Sequence, residues 1–140
     1  VKAGHGFPFN GVVDLTGKRI GINRGWSYGE VFDSARQACL FVADEATDNL
    51  ANLKKLMLGR VDCIIVDELS LSQILYQMGW RDEVEMLDVP ATVNSVHLVF
   101  AKHTQQAHVL DRFNQGLVKM KANGTYSRIL ATFIHGTNAN

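Results

Sequence analysis

Hydrophobic and polar residues form two alternating patterns along the first eighty positions. Short apolar runs predict strands at 18–23, 40–43 and 63–66. Each run is followed by apolar residues at intervals of three or four, which is typical of amphipathic helices. The inward positions predicted for these helices are Val31, Phe32, Ala35 and Ala38, then Leu50, Leu53, Leu56 and Met57, then Leu71, Ile74 and Leu75. Strand and helix in threefold alternation predict an α/β fold with a parallel sheet.

Local signals bound these elements. Gly59 suits the left-handed residue that ends the second predicted helix, and Thr47 is predicted to cap the start of that same helix. The run 63–66 is continuous and rich in β-branched residues, which predicts a strand covered on both faces. Right-handed crossovers place the carboxyl ends of parallel strands at one edge. We therefore expect the turn 25–28 and Asp67 to face the same crevice.

The pattern changes after Pro90. Residues 95–101 read as a fourth strand, and 105–123 as a long helix that Gly124 ends. A last helix follows, and residues 1–15 read as an extended connector. The apolar positions predicted for the two C-terminal helices are Ala107, Leu110, Phe113, Leu117 and Met120, then Tyr126, Ile129, Leu130 and Phe133.

Composition narrows the function classes. The chain of 140 residues is 46% hydrophobic and 20% charged, as expected for a globular protein. Fourteen basic and fourteen acidic residues cancel, so no nucleic-acid partner is indicated. The five histidines lack the spacing of a helical metal site, so neither a metal nor a cofactor is predicted. Cys39 and Cys63 both read as unpaired core thiols.

The turn that begins at Gly25 has two interpretations. Gly25-Trp26-Ser27-Tyr28-Gly29 matches the G-x-S-x-G nucleophile elbow of hydrolases, with Asp67 and either His97 or His135 as triad partners. Against this, the elbow normally follows several earlier strands, and almost nothing precedes it here.

The second interpretation is a binding site for a zwitterion. N–H groups at the helix start and the Ser27 hydroxyl suit a carboxylate, and Asp67 suits an ammonium group. Trp26 and Tyr28 would form the walls. Each residue also has a structural alternative: Ser27 and Asp67 as helix caps, and the two aromatic residues as half-buried surface.

Four segments in order resemble the extracellular solute-binding proteins, family 3, of bacterial polar amino-acid ABC transporters. They are Asp14-Leu15-Thr16-Gly17-Lys18-Arg19-Ile20-Gly21-Ile22, Arg24 to Tyr28, Gly59 to Glu68, and Lys121-Ala122-Asn123-Gly124-Thr125-Tyr126-Ser127-Arg128-Ile129-Leu130. The resemblance implies the type II periplasmic binding fold, in which two α/β lobes close on a ligand.

By this resemblance, residues 10–91 form the second lobe, a three-layer αβα domain. Residues 1–9 are a hinge connector, and 92–140 are a return strand and helices that belong to the first lobe. The rest of the first lobe is missing, with the arginine that grips the ligand carboxylate, so the chain resembles a fragment.

The resemblance also implies a ligand surface formed by Arg24, Gly25, Trp26, Ser27, Tyr28 and Asp67. Gly25, Trp26 and Ser27 match the family's binding turn, and Asp67 matches its amine-binding acid. Trp26 replaces a small hydroxyl residue and Arg24 a neutral one, so the ligand's identity stays open.

The implied function is the periplasmic binding component of an ABC transporter, which is not an enzyme. Its expected partners are an amino-acid-like solute and a membrane permease. The alternatives are the sensing domain of a signalling receptor, and a serine hydrolase or lyase on the same fold. We expect the helix from Gln105 to expose a wide apolar face, which would pack on the second lobe or on another chain to form a dimer.

Overall fold

The computed structural model describes residues 1–135, and side chains as far as residue 134. The chain divides into two compact units. The N-terminal unit is Val1–Asn94, and the C-terminal unit begins at Ser95.

Three strands and three α-helices alternate in the N-terminal unit, as the sequence predicts. Two 3-10 helices, Val12–Leu15 and Arg81–Glu83, stand before and after them. The elements are β1 (Arg19–Asn23), α1 (Glu30–Gln37), β2 (Val42–Ala46), α2 (Asn49–Met57), β3 (Cys63–Ile64) and α3 (Glu68–Met78).

The strands form a parallel sheet in the order β2-β1-β3, which confirms the predicted fold class. Strand β1 lies in the centre, and Ile20 is opposite Ala43 on one side and Cys63 on the other. The predicted start of β2 at Leu40 is wrong by two residues. The Leu40 N–H donates to the Ala35 carbonyl at 3.1 Å, so this residue still belongs to the end of α1.

Apolar clusters cover both faces of the sheet, giving three layers. Along the β3 segment, Cys63 and Ile65 pack on the first cluster, and Ile64 and Val66 pack on the second. The strand is therefore covered on both faces, as predicted. The first cluster contains Val1, Phe9, Leu15, Ile20, Ile22, Tyr28, Phe32, Phe41 and Cys63. The second contains Leu53, Leu56, Val61, Leu71 and Leu75.

Some predicted inward positions are outward. In α1, Phe32 is buried, but Val31 is 69% exposed and Ala38 is also exposed. The first residues, by contrast, are more than an extended connector. Val1 is buried in the first cluster, and Lys2 forms an antiparallel bridge with Val84.

Helix ends confirm one capping prediction and correct another. Gly59 has φ +66°, and the Arg60 N–H donates to the Lys55 carbonyl at 2.9 Å, which closes α2 as expected. The cap at its other end is Asp48 rather than Thr47. The Asp48 carboxylate accepts the Ala51 N–H at 2.8 Å, because the helix starts one residue later than the prediction needs.

The two cysteines are both free, but only one is a core thiol. Cys63 is buried, and burial raises its pKa to about 11. The expectation that Cys39 is buried is wrong. Cys39 is exposed with φ +57°, in the left-handed position just after α1 that glycine usually takes.

The C-terminal unit contains α4 (Ala107–Ala122) and α5 (Thr125–His135), which pack on each other across Gly124. The predicted strand 95–101 is wrong. No strand among the described residues pairs with this segment, and a lone strand cannot satisfy its backbone hydrogen bonds. Several apolar side chains of the two helices are exposed: Val109, Phe113, Val118, Tyr126, Ile129 and Phe133. Over residues 1–135, no helix is long and apolar enough to cross a membrane.

Gly21 in β1 leaves no room for a side chain. A Cβ there would lie 2.8 Å from Asn52 Oδ1 and 2.9 Å from Ile64 Cγ2. We expect Gly21→Ala to lower the free energy of unfolding by about 1–3 kcal/mol in urea denaturation. Gly11→Ala is the control, because that position is extended and open, and it should change stability by less than about 0.5 kcal/mol. Equal losses in the two variants would contradict this packing.

Candidate functional site

A tight turn carries the chain from the end of β1 to α1. The Trp26 N–H donates to the Asn23 carbonyl at 3.3 Å, and Gly25 has φ +76° at the third position. That position of a type II turn requires positive φ, so glycine is needed there. The turn leaves Arg24, Trp26 and Ser27 exposed, with Trp26 at 54%.

Asn23 anchors this turn to the core. Its side-chain amide donates to Asn49 Oδ1 at 2.7 Å, and its Oδ1 accepts from Asn52 Nδ2 at 2.9 Å. Asn23 and Asn52 are both almost fully buried, so these bonds stand in place of water. This network was not predicted from the sequence. The available signal was Asn52, which lies one helical turn before Leu56 on the buried face of α2.

Tyr28 belongs to the core rather than to a ligand crevice. Its side chain is buried and packs on Phe32 with ring centroids 5.4 Å apart. Its hydroxyl oxygen accepts the Asn23 backbone N–H at 2.7 Å. Burial raises the pKa of Tyr28, so the phenol stays neutral. The expectation that Tyr28 forms a wall of the site is wrong, because its ring is buried and its hydroxyl supports the turn through the hydrogen bond to Asn23.

Ser27 is exposed but its hydroxyl is engaged. It donates to a carboxylate oxygen of Asp33, and the other oxygen accepts the Tyr28 N–H at 3.2 Å. The Ser27 Oγ also accepts the Gly29 N–H at 3.4 Å. The Ser27 hydrogen bond, reinforced by the one from Tyr28, lowers the pKa of Asp33. The sequence analysis did not single out Asp33.

The nucleophile elbow gains no support from this arrangement. A serine nucleophile needs a base as hydrogen-bond partner, and the Ser27 hydroxyl donates to Asp33 instead. His97 belongs to the C-terminal unit, and the side chain of His135 lies outside the described residues.

The two charged residues predicted for the site are exposed. The Arg24 guanidinium pairs with the Glu45 carboxylate at 3.3 Å, across from β1 to β2. Asp67 caps α3, because its Oδ1 accepts the Ser70 N–H at 2.8 Å. This contact is the structural alternative that the sequence analysis allowed for Asp67, and an exposed capping carboxylate keeps oxygen lone pairs for a second donor.

Topology brings the turn and Asp67 to one edge of the sheet. Strand β1 ends at Asn23, immediately before the turn, and the adjacent parallel strand β3 ends three residues before Asp67. Parallel neighbours run about 4.8 Å apart, so both features follow carboxyl ends of adjacent strands. Asp48, which follows β2, is a third acid at this edge.

Two cavities lie in the N-terminal unit, and neither is lined by the turn or by Asp67. The first, of about 600 Å³, lies between residues 4–10 and 85–89. The second, of about 390 Å³, lies between the first turns of α2 and α3, where Asp48 and Ser70 line it. Among residues 1–135, no group of three or more acidic, histidine or cysteine side chains could hold a metal ion.

Comparison with solved structures identifies the fold. The second substrate-binding domain assigned to an amino-acid ABC transporter of Streptococcus pneumoniae superposes with a TM-score of 0.61 at 20% identity, over 93% of this chain. Substrate-binding domain 2 of Lactococcus lactis GlnP, in an open conformation, gives 0.61 at 18% identity over 91%. An ancestral arginine-binding protein bound to arginine gives 0.60 at 20% identity over 96%.

The chain has the fold of these binding domains, which confirms the fold expected from the four segments. It spans 57%, 53% and 57% of the three matched chains, in the order given. No protein-family model matches the sequence, and no curated protein matches it either. At such identities the likeness establishes fold, while function depends on the site.

The buried bond between Tyr28 and Asn23 yields a stability prediction. Tyr28→Phe removes the acceptor of a buried backbone N–H, so we expect it to lower the free energy of unfolding by about 1–3 kcal/mol. The matched control is Tyr76→Phe, because Tyr76 is 52% exposed and its loss should cost less than about 0.5 kcal/mol. Denaturation curves measure both, and a Tyr28 variant as stable as the control would refute the anchor.

Proposed function

We propose that this chain is part of the substrate-binding component of an ABC transporter and contributes one lobe of a site for an amino acid or a similar small polar solute. The fold likeness supports the class of protein. The observation that carries the proposal is the shared edge, where an exposed turn and the exposed acid Asp67 follow adjacent strands. Open α/β sheets bind ligands at this edge.

In this proposal Asp67 accepts the solute's ammonium group. A carboxylate that already caps a helix has a fixed orientation, so less conformational entropy is lost when it binds a cation. Trp26 supplies an exposed indole face for the solute's apolar or cationic part. Arg24, Gly25 and Ser27 are the other residues of this turn in the proposed site. Tyr28 does not contact the solute in this proposal. Its hydroxyl holds Asn23, the first residue of the turn, by a hydrogen bond.

The proposed division of the chain assigns residues 10–91 to the second lobe, 1–9 to the hinge connector and 92–140 to the first lobe. The boundary between the two compact units, at Asn94, supports the break near residue 92. Because the chain spans little more than half of the matched binding domains, we expect a complete pocket to need further polypeptide.

The proposed setting is the periplasm, with a membrane permease as the partner that receives the solute. Both assignments come from the transporter class of the matched domains. The expected dimer through the C-terminal helices stays a prediction, and sedimentation of the chain would test it.

We expect Asp67→Asn to weaken binding of an amino acid about tenfold or more, since it removes a charge-assisted hydrogen bond. Titration of an isotopically labelled protein that carries both lobes with arginine and with glutamine, followed by amide chemical shifts at the turn and at 67–70, measures the affinity. Asparagine also caps helices well, so the fold should survive the change.

The matched control is Asp48→Asn, which alters the equivalent cap of α2 at the same edge. It should leave the affinity unchanged within about twofold if binding is specific to Asp67. Equal losses in the two variants would indicate a general effect of negative charge. An unchanged affinity in Asp67→Asn would remove this residue from the site.

A further inference from the structure

The Asp33 carboxylate is already hydrogen-bonded to two donors of the turn that precedes α1. Asp33 lies in the first turn of α1 and reaches back over the residues that precede the helix. One of its oxygens accepts the Ser27 hydroxyl, and the other accepts the Tyr28 N–H at 3.2 Å. A two-oxygen acceptor spanning a hydroxyl and an amide is the contact that a ligand carboxylate would make here.

Neither of these two donors can donate to a second acceptor while it donates to Asp33. A serine hydroxyl carries one hydrogen and a backbone amide carries one, and both point at Asp33. The Ser27 oxygen is left with lone pairs, one of which accepts from the Gly29 N–H at 3.4 Å. At these two donors a second carboxylate would therefore meet the oxygen atoms of Asp33. The Ser27 hydrogen bond lowers the pKa of Asp33, which keeps this internal carboxylate ionised.

We propose that Asp33 is a specificity-determining residue that closes the turn to a solute's carboxylate and leaves it open to a hydrogen-bond-donating group. This inference rests on the proposed function, because it takes the Ser27 turn as part of the ligand surface. The class of group that faces this lobe is then an ammonium or a guanidinium, and the solute's carboxylate points away from the turn.

Charge at this edge agrees with that class. Asp33 and Asp67 are both acidic, and the Arg24 guanidinium of the turn is paired with the Glu45 carboxylate at 3.3 Å. The guanidinium of the turn is thus compensated by Glu45, and Asp33 supplies the negative charge that meets a group entering at Ser27. A positive group gains from this charge, and a negative group is opposed by it.

Acetate is the probe that tests this closure, because a carboxylate is its only polar group. The 140-residue chain and its Asp33→Ala variant are titrated with sodium acetate while the amide shifts of Tyr28 and Gly29 are followed. Sodium chloride at equal ionic strength provides the baseline. The wild-type chain should show no saturable shift, and the variant should bind acetate at least about tenfold more tightly.

Glu30→Gln is the matched control, since it removes one negative charge from the same turn of α1. It should behave like the wild type if direct occupation excludes acetate. Asp33→Asn replaces the alanine variant if that chain fails to fold, and it too should admit acetate, because the amide's carbonyl oxygen is a weaker acceptor than a carboxylate. Ser27→Ala added to the Asp33 variant should reduce the acetate affinity again.

A saturable acetate shift in the wild-type chain equal to that in the variants would overturn the proposal, as would its absence from both Asp33 variants. An effect of Glu30→Gln as large as that of Asp33→Ala would also overturn it. The test is separate from that of the proposed function. Acetate entry at Tyr28 does not depend on Asp67, so amino-acid binding can fail while the closure by Asp33 holds, and the reverse can also occur.

Discussion

The parallel pairing of β1 with a strand on each side is the constraint on which the rest of the structure depends. Ile20 and Ile22 on one face and Gly21 and Asn23 on the other are all buried, so this strand has no solvent-facing side. Gly21 between them lets Asn52 and Ile64 approach the backbone closely. Because the centre is fixed in this way, the residues that follow β1 and β3 emerge side by side at one edge, which is where open α/β sheets bind their ligands.

A polar network extends this rigidity into the turn. Asn23 ends β1 and is hydrogen-bonded to three side chains, those of Tyr28, Asn49 and Asn52. Buried amides that lose a partner are costly, so the network holds the start of the turn in one position. The exposed part is then modified by Asp33, whose carboxylate uses donors that the bare turn would offer. Core packing thus fixes where the exposed turn lies, and in our proposal Asp33 decides which chemical group the turn receives.

The sequence predicted what depends on local periodicity and failed where tertiary contacts decide. The parallel sheet, the left-handed Gly59 and the inward residues Leu71 and Leu75 of α3 follow from apolar spacing and helix-end signals. The strand predicted at 95–101 had the right residues but no partner strand within residues 1–135. Tyr28 looked like a wall residue because periodicity cannot tell whether an aromatic ring before a helix turns inward. The role of Asp33 in the turn was not predicted for a related reason. A side chain that reaches back over a turn leaves no spacing signal in the sequence.

The most direct test of the account is whether the turn after β1 and Asp67 share an edge. A spin label on Ser27→Cys serves as the probe in a chain that also carries Cys39→Gly. Cys63 stays unlabelled, because its thiol is buried and its pKa is raised to about 11. We predict strong paramagnetic broadening of the Asp67 amide signal and a sharp signal for Gly59, which precedes β3 at the opposite edge. An Asp67 signal as sharp as that of Gly59 would contradict the shared edge and the ligand surface built on it.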